Sequence, residues 1–189
     1  MTEPEPLRTA EPLCTAHTFE LSPADLAGIR ALMDEAFEGG FTDEDWDHGL
    51  GGVHAYVRAP DGTFLAHGSV IQRRVLYGRR SYRVGYVEAV AVRPDRHRQG
   101  LGGRIMAALE HVIDGAYHLG ALSASDDGAR LYRARGWHLW QGTIETLAPG
   151  GVVRLPEEED CTYLRPAARR PLPGPSGALV FDWREGDVL

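Results

Sequence analysis

Residues 82–104 read YRVGYVEAVAVRPDRHRQGLGGR. Valine and alanine dominate the first half, which predicts a buried strand, and the second half predicts a glycine-rich turn that opens a helix. Backbone N–H groups at a helix N-terminus bind diphosphates when glycines allow close approach. Glu88 lies inside the apolar strand, where a lone carboxylate is costly to bury unless it is partnered or functional. The stretch therefore predicts a diphosphate site with a carboxylate base beside it.

The composition of the whole chain fits one soluble enzyme domain. The chain has 189 residues, of which 43% are hydrophobic, so we expect residues 1–189 to form a single domain with a full core. No apolar run approaches the roughly 20 residues that cross a bilayer. The N-terminus carries Glu3, Glu5 and Glu11 instead of the basic and apolar blocks of a signal peptide. We therefore expect a cytoplasmic protein with no membrane partner.

Charge and metal-ligand spacing restrict the partners. The formal net charge of -7 argues against nucleic acid, which is normally bound by clustered cations, and favours a cationic partner. The two cysteines, Cys14 and Cys161, lie too far apart in sequence to suggest a disulfide framework or a metal knuckle. The eight histidines show no paired ligand spacing. We expect no metal site.

The predicted elements alternate between helices and strands, and we expect residues 1–16 to be loosely held. Capping signals predict a helix from Pro23, a short helix after Thr42 and a helix capped by Asp126 or Asp127. Apolar spacing predicts another helix from Leu101. Turns separate the predicted strands, and residues 141–176 are rich in Gly and Pro. The predicted strands span residues 53–59, 63–76, a segment ending at Val92, 121–123, 137–140, 161–164 and 178–183.

The order of these elements resembles the GNAT superfamily of N-acetyltransferases. The loop HRQGLG at residues 97–102 is similar to the Arg/Gln-x-x-Gly-x-Gly/Ala signature of that family, with His97 where Arg or Gln is usual. The resemblance implies an α/β (mixed α+β) fold with a central, mostly antiparallel mixed sheet flanked by helices. An ordinary glycine-rich connection is the alternative. A dinucleotide-binding fold fits less well, because its Gly-x-Gly-x-x-Gly pattern is incomplete here.

Four tracts narrow the resemblance to the aminoglycoside 2'-N-acetyltransferases of mycobacteria and their relatives. They are residues 67–74, 85–93, 115–123 and 182–188. The resemblance implies acetyl transfer from acetyl-CoA to the 2'-amine of a small cationic amino sugar, a role in antibiotic resistance, and a homodimer. Two departures bear on the substrate range: Gly40 replaces an aspartate of the mycobacterial relatives, and Leu189 replaces their terminal tryptophan.

A protonated amine must lose a proton before it attacks a thioester, and Glu88 is the best-placed base, acting through water. Tyr132 matches the general acid of the family, and a phenol of pKa about 10 can protonate a leaving thiolate. The resemblance implies a coenzyme site and an amine site around these two residues. The expected coenzyme site is Val90, Ala91, Val92, His97, Arg98, Gln99, Gly100, Leu101 and Gly102. Expected contacts to the amine substrate are Glu88, Ala89, Ser123, Glu157, Glu158, Asp187 and Leu189.

Each assignment has an alternative. Glu88 is a structural acid if it pairs with an arginine such as Arg83 or Arg93. Tyr132 is an ordinary packed aromatic if its helix only fills the core, and the acidic run 157–160 is a solvated surface if it faces water. At the level of the whole protein, the alternatives are a GNAT enzyme for another amino sugar or small amine, and an acyl-CoA- or drug-binding module without turnover.

Overall fold

A computed structural model describes residues 11–168, 170–174 and 176–189. The strands lie in one ten-stranded mixed sheet: most neighbours run antiparallel, and β4–β5 and β7–β10 run parallel. Eight strands follow the order β6-β9-β5-β4-β3-β10-β7-β8, and β1 joins the sheet through β2. The strands are β1 Leu13–His17, β2 Val53–Arg58, β3 Phe64–Tyr77, β4 Arg80–Val92, β5 Leu119–Ser123, β6 His138–Leu139, β7 Ile144–Ala148, β8 Gly151–Arg154, β9 Thr162–Pro166 and β10 Leu179–Asp182.

Four α-helices cover the sheet: α1 Pro23–Ala36, α2 Asp43–His48, α3 Leu101–Ala116 and α4 Asp126–Ala134. Ser22 and Thr42 cap α1 and α2 through capping boxes, as the sequence predicts. Ser125 caps α4, so the prediction of Asp126 or Asp127 at that position was wrong by one or two residues. The serine hydroxyl accepts from the N–H of Gly128, which a cap three residues upstream can reach.

The long strand β3 organises the sheet, because it pairs with β4 on one side from Ala66 to Tyr77. On its other side, its first half pairs with β2 and its last residues pair with β10. One face of β3 and β4 packs against α3: a Cβ built on Gly68 would lie 2.8 Å from Ile105 Cγ2. Val87 belongs to the same apolar cluster as Ile105, so alternate residues such as Tyr86 and Glu88 point to the opposite face.

Two predictions about the chain ends and the Gly/Pro-rich stretch were wrong. Residues 11–16 were expected to be loose, yet β1 pairs with β2 over five residues; residues 1–10 lie outside the described part. The stretch 141–176 was expected to hold one strand, yet it also contains the hairpin of β7 and β8. In the part of the chain that the structure describes, no helix is both long and apolar enough to cross a membrane.

Candidate active site

Glu88 lies on the face of β4 opposite α3, with Ser69 of β3 directly across from it. Its carboxylate lies in an ion pair with Arg184 of the C-terminal segment, at 2.5 Å between Oε1 and Nη1, and the two side chains are only 16% and 14% exposed. The partner is an arginine, as the structural alternative expected, but neither Arg83 nor Arg93 contacts Glu88 among the ion pairs of the described residues.

Burial and charge act in opposite directions on Glu88. Burial raises the pKa of the Glu88 carboxyl, while the neighbouring cations Arg184 and Arg73 oppose the rise. Burial together with the charge of Glu88 raises the pKa of Tyr132 to about 12, so this phenol is protonated at neutral pH. A carboxylate whose pKa is raised and a phenol that stays protonated have the properties expected of a general base and a general acid.

Polar atoms without a hydrogen-bond partner gather around Glu88. Among the described residues these buried atoms include Ser69 Oγ, opposite Glu88 in the sheet, and Tyr86 Oη. Buried polar groups are normally satisfied by protein, water or ligand, so a group of such atoms in one place marks a site that binds something polar. The sequence contains no signal for Ser69 or Tyr86, because the residues across the sheet that bring them to Glu88 are set by strand register.

β4 contains a bulge immediately after Glu88. Ala89 has a φ of 49°, and Ala89 and Val90 together oppose the single residue Gly68 of β3. The described β4–β5 pairing runs only from Val84 to Tyr86, so the two strands separate beyond it. The predicted coenzyme contacts at residues 90–92 therefore lie where the β5-facing edge of β4 is open to pair with an extended ligand.

The glycine loop leads directly into α3. Gly100, at a φ of 80°, is the N-cap residue, and no side chain of the described residues caps the helix there. Residues 97–100 are exposed, so the first N–H groups of this 16-residue helix are available to an anion. His97, the departure from the signature, donates from Nε2 to the Val92 carbonyl at 2.9 Å. Its side chain thus ties the loop to β4.

The end of the helix that carries Tyr132 is attached to α3 by a buried carboxylate, which the sequence analysis did not identify. Glu110 of α3 accepts two bonds from Arg135, at 2.8 and 2.5 Å, and one from the indole of Trp137 at 2.9 Å. These contacts fasten the end of α4 to α3, and the ring of Tyr132 packs against Trp137. An acid at an apolar helix position was the only signal that could have identified Glu110.

Two of the predicted substrate contacts meet at the end of β5. The Ser123 hydroxyl donates to Glu158 Oε2 at 2.7 Å, and the Cys161 thiol donates to the same oxygen at 3.2 Å. Burial raises the pKa of Glu158, and these two hydrogen bonds oppose the rise. Glu158 is buried, whereas Glu157 is exposed. The alternative interpretation of residues 157–160 as a solvated surface therefore holds for Glu157 but not for Glu158.

The C-terminal segment is held beneath the sheet by Arg73, which is 3% exposed. Its guanidinium donates to Asp182 Oδ1 at 2.8 Å, and to the carbonyls of Asp182 and Val188. The predicted contact Asp187 is exposed, and its charge acts on Glu158. Leu189 is 9% exposed and belongs to an apolar cluster with Phe181, so its side chain does not form a wall of an open cleft.

An acidic cleft of about 360 Å³ opens on the outer side of Arg184. The sequence predicted α2 as a short capped helix but did not predict this cleft. Four carboxylates within the six residues of this short helix were the available signal, because they concentrate negative charge on one element. The lining residues are Asp43, Glu44, Asp47, His48, Arg184 and Glu185.

Comparison with known proteins gives one family. The profile of the acetyltransferase (GNAT) domain matches residues 19–140. An aminoglycoside 2'-N-acetyltransferase of Mycolicibacterium fortuitum is 46% identical over 177 residues, which cover 91% of this chain and 89% of that protein.

Solved structures show the same fold. A GNAT family N-acetyltransferase of Escherichia coli in complex with CoA matches 96% of this chain and 93% of its own, at a TM-score of 0.67 and 18% identity. A GNAT family acetyltransferase of Brucella melitensis in complex with acetyl-CoA matches 68% of this chain and 84% of its own, at a TM-score of 0.51 and 19% identity.

Proposed function

This chain belongs to the GNAT family of acetyltransferases, and from that premise we propose that it transfers the acetyl group of acetyl-CoA to the 2'-amine of aminoglycosides. One observation carries the proposal: the largely buried carboxylate of Glu88 directly precedes the bulge that leads to the glycine loop, and its partner Arg184 lines an acidic cleft. The 46% identity to an aminoglycoside 2'-N-acetyltransferase supports the substrate class.

The acetyl donor fits the open edge of β4 and the N-terminus of α3. Strand N–H and C=O groups of residues 90–92 pair with the pantetheine arm, and the free N–H groups at the start of α3 bind the pyrophosphate. The peptide N–H of Val90 donates to the carbonyl oxygen of the acetyl group. That hydrogen bond strengthens as negative charge develops on the oxygen during attack.

The amine side follows from charge. An aminoglycoside carries several ammonium groups, and the carboxylates of α2, Glu185 and the C-terminal segment attract them into the cleft. Glu88 then accepts a proton from the reacting ammonium through water, so that the free amine nitrogen attacks the acetyl carbon. The C–S bond breaks once the C–N bond has formed, and the nitrogen loses its second proton to water as it becomes the amide. Tyr132 donates its proton to the departing thiolate and is reprotonated from solvent.

The first experiment measures product and regiochemistry together. The enzyme is incubated with acetyl-CoA and a 2'-amino aminoglycoside, and tandem mass spectrometry locates the acetyl group while a thiol reagent counts free CoA. A matched aminoglycoside with a 2'-hydroxyl in place of the amine is the control. We expect one acetyl group on the 2'-amine and no transfer to the control. Acetylation of a different amino sugar instead would support the other-amine alternative.

Two substitutions test the assigned acid and base. We expect Glu88→Gln to lower kcat/KM by about 10²-fold or more at neutral pH, with a smaller loss at high pH, where free amine is present without a base. We expect Tyr132→Phe to slow thiol release. Matched controls make the same changes elsewhere: Glu145→Gln on β7 and Tyr163→Phe on β9, whose buried hydroxyl has no partner among the described residues. Unchanged rates in both site variants would remove the assignment. CoA binding without any released thiol would instead favour a binding module.

The homodimer, the cytoplasmic location and a role in antibiotic resistance stay predictions from the sequence.

A further inference from the structure

A chain of two buried histidines runs from the edge of the sheet to the bulge beside Glu88. His54 and His67 are both 0% exposed. His54 Nδ1 lies 2.9 Å from His67 Nε2, and His67 Nδ1 lies 2.9 Å from the carbonyl oxygen of Ala89. At the other end, His54 Nε2 lies 2.8 Å from Thr18 Oγ1. All four ring nitrogens thus have a partner inside the protein.

Both rings are neutral at physiological pH. Burial lowers the pKa of His54 to about 4, and burial with the neighbouring His54 lowers the pKa of His67 to about 3. A neutral imidazole has one N–H donor and one nitrogen that only accepts. The hydrogen bonds of the chain therefore determine which nitrogen of each ring carries the proton.

The direction of the chain follows from its last acceptor. A carbonyl oxygen only accepts, so His67 Nδ1 carries the proton that is donated to Ala89. His67 Nε2 then accepts from His54 Nδ1, which leaves His54 Nε2 to accept from the hydroxyl of Thr18. Thr18 Oγ1 in turn accepts the N–H of Gly51 at 2.9 Å. Both histidines are therefore Nδ1–H tautomers.

The Thr18 hydroxyl has a second acceptor, the carbonyl of Gly52, at the longer distance of 3.2 Å. It carries only one hydrogen, and His54 Nε2 has none to offer. The shorter contact to His54 therefore takes that hydrogen.

This chain of hydrogen bonds ends at the carbonyl of the Ala89–Val90 peptide, whose N–H is the proposed donor to the acetyl group. Ala89, at a φ of 49°, is held in the left-handed backbone conformation, which a non-glycine residue adopts only at a cost in free energy. A trans peptide is planar, with its C=O and N–H on opposite sides. Holding the Ala89 carbonyl against His67 therefore fixes the Val90 N–H in the opposite direction, away from the histidines.

Two simpler roles do not account for this arrangement. A proton relay needs a terminal group that can give up a proton, and a backbone carbonyl at the active-site end cannot pass one on. Core packing alone needs no polar side chains, since buried polar groups replaced together by apolar ones of similar shape are often neutral for stability. What the two imidazoles add is a directed hydrogen bond to one carbonyl.

We propose that His67, supported by His54, is a positioning residue that orients the Ala89–Val90 peptide, so that the Val90 N–H meets the carbonyl oxygen of the acetyl group. The catalytic part of this inference rests on the proposed acetyl transfer. The part that concerns the two tautomers does not, because it follows from the contacts alone.

Nitrogen NMR of the unmodified enzyme, labelled with ¹⁵N in its histidine rings, tests the tautomers without any substrate. We expect His54 and His67 each to show a protonated Nδ1 and an unprotonated Nε2, with no titration between pH 5 and 8. An Nε2–H tautomer in either ring, or a charge change near pH 6.5, would overturn the inference. This measurement decides the matter even if substituted proteins do not fold.

Kinetics of two His67 variants test the catalytic part. His67→Leu removes the donor, whereas His67→Asn places an amide N–H near the position of Nδ1. We expect His67→Leu to lower kcat about 10-fold to 100-fold, somewhat less than outright loss of an oxyanion donor. We expect an unchanged KM for the amine and recovery of most of the rate in His67→Asn.

Rates are normalised to the concentration of folded enzyme, which is measured by a CoA-binding titration. If the residue is only structural, both variants lose folded protein while kcat per folded enzyme stays at the wild-type level, and that result would refute positioning. If the substrate proves to be another amine, the same comparison is made with that amine. Failure of the proposed substrate is thereby separated from failure of this inference.

Discussion

The coenzyme side and the amine side of the candidate site are built differently. The coenzyme side is one continuous stretch, from Val90 to the first turn of α3, and it offers backbone groups. The amine side gathers α2, the end of β5, the segment before β9 and the last residues of the chain, and it offers side chains. Buried arginines hold it together: Arg73 binds the C-terminal segment, and Arg184 pairs with Glu88.

The difference shows where each side is vulnerable. A backbone site depends on the local φ and ψ values, so glycine and the bulge control it. A side-chain site depends on distant segments that are brought together by ion pairs, and the loss of one buried charge exposes the others. Substitutions on the coenzyme side should therefore change the KM for acetyl-CoA. Substitutions on the amine side should change the KM for the amine or the pH profile.

The largest effect is expected from Arg73→Leu. It removes one donor from the Asp182 carboxylate and one from the Val188 carbonyl, while the Arg74 N–H and Arg184 still donate to them, so the cost is about 1.5–3 kcal/mol of folding stability, the scale of hydrogen bonds to a charged group. We expect the amine side to fail first, with a raised KM for the amine and near-normal CoA binding in the protein that remains folded. Denaturant unfolding and a CoA titration measure the two. The exposed neighbour Arg74 supplies the control, Arg74→Leu. Equal loss of CoA and amine binding would contradict the separation.

Arg184→Gln should have the next largest effect. Arg184 opposes the burial that raises the pKa of Glu88, so its removal lets that pKa rise further. A base must be ionised to act, so the acidic limb of the kcat/KM profile should move to higher pH. Arg73 and Asp45, which also act on Glu88, are unchanged in the variant.

We expect a roughly tenfold loss of kcat/KM for Arg184→Gln near pH 6 and a smaller loss near pH 9, on the scale of a hydrogen bond to a charged group. The exposed turn residue Arg79 provides the control Arg79→Gln, with the same change in charge. An acidic limb that stays in place would show that Arg184 does not act on the base.

Gly100→Ala tests the coenzyme side alone. A built Cβ meets nothing within 4 Å, so the cost comes from the φ of 80° and is about 1 kcal/mol. A smaller fraction of loops is then competent to bind, and the KM for acetyl-CoA should rise about fivefold while the KM for the amine stays the same. Gly115→Ala, at an open position near the other end of α3, is the control and should change neither value. A change in the KM for the amine would count against the division into two sides.

The smallest effect is expected from Ser123→Ala. It removes the shorter of the two hydrogen bonds to Glu158, worth about 1 kcal/mol, so the KM for the amine should rise by a few-fold. Cys161→Ala removes the longer bond and should have a smaller effect. Steady-state kinetics at saturating acetyl-CoA measures both. A larger effect from Cys161 than from Ser123 would reverse the assigned importance of these donors.

Local signals predicted most elements, and those without local signals were missed. The caps at Ser22 and Thr42, and the helix that begins at Leu101, followed from neighbouring residues. β1 was missed because its five residues show little alternation and are ordered by pairing with β2. β8 was missed because all four of its residues are exposed, and β7 was missed because its short run, in which Ile144 and Thr146 are buried, is flanked by glycines.

The sequence by itself determined the family and predicted the strand and the helix N-terminus of the proposed coenzyme side, since both are set by residues that are neighbours in the chain. It also indicated Glu88 as the candidate base, because an acid in an apolar strand is conspicuous. Only the tertiary structure decided that Arg184 is its partner, that α2 supplies an acidic cleft, and that His67 holds the Ala89 carbonyl. The physical reason is that charge and hydrogen bonding act over a few ångströms of space, whatever the separation along the chain.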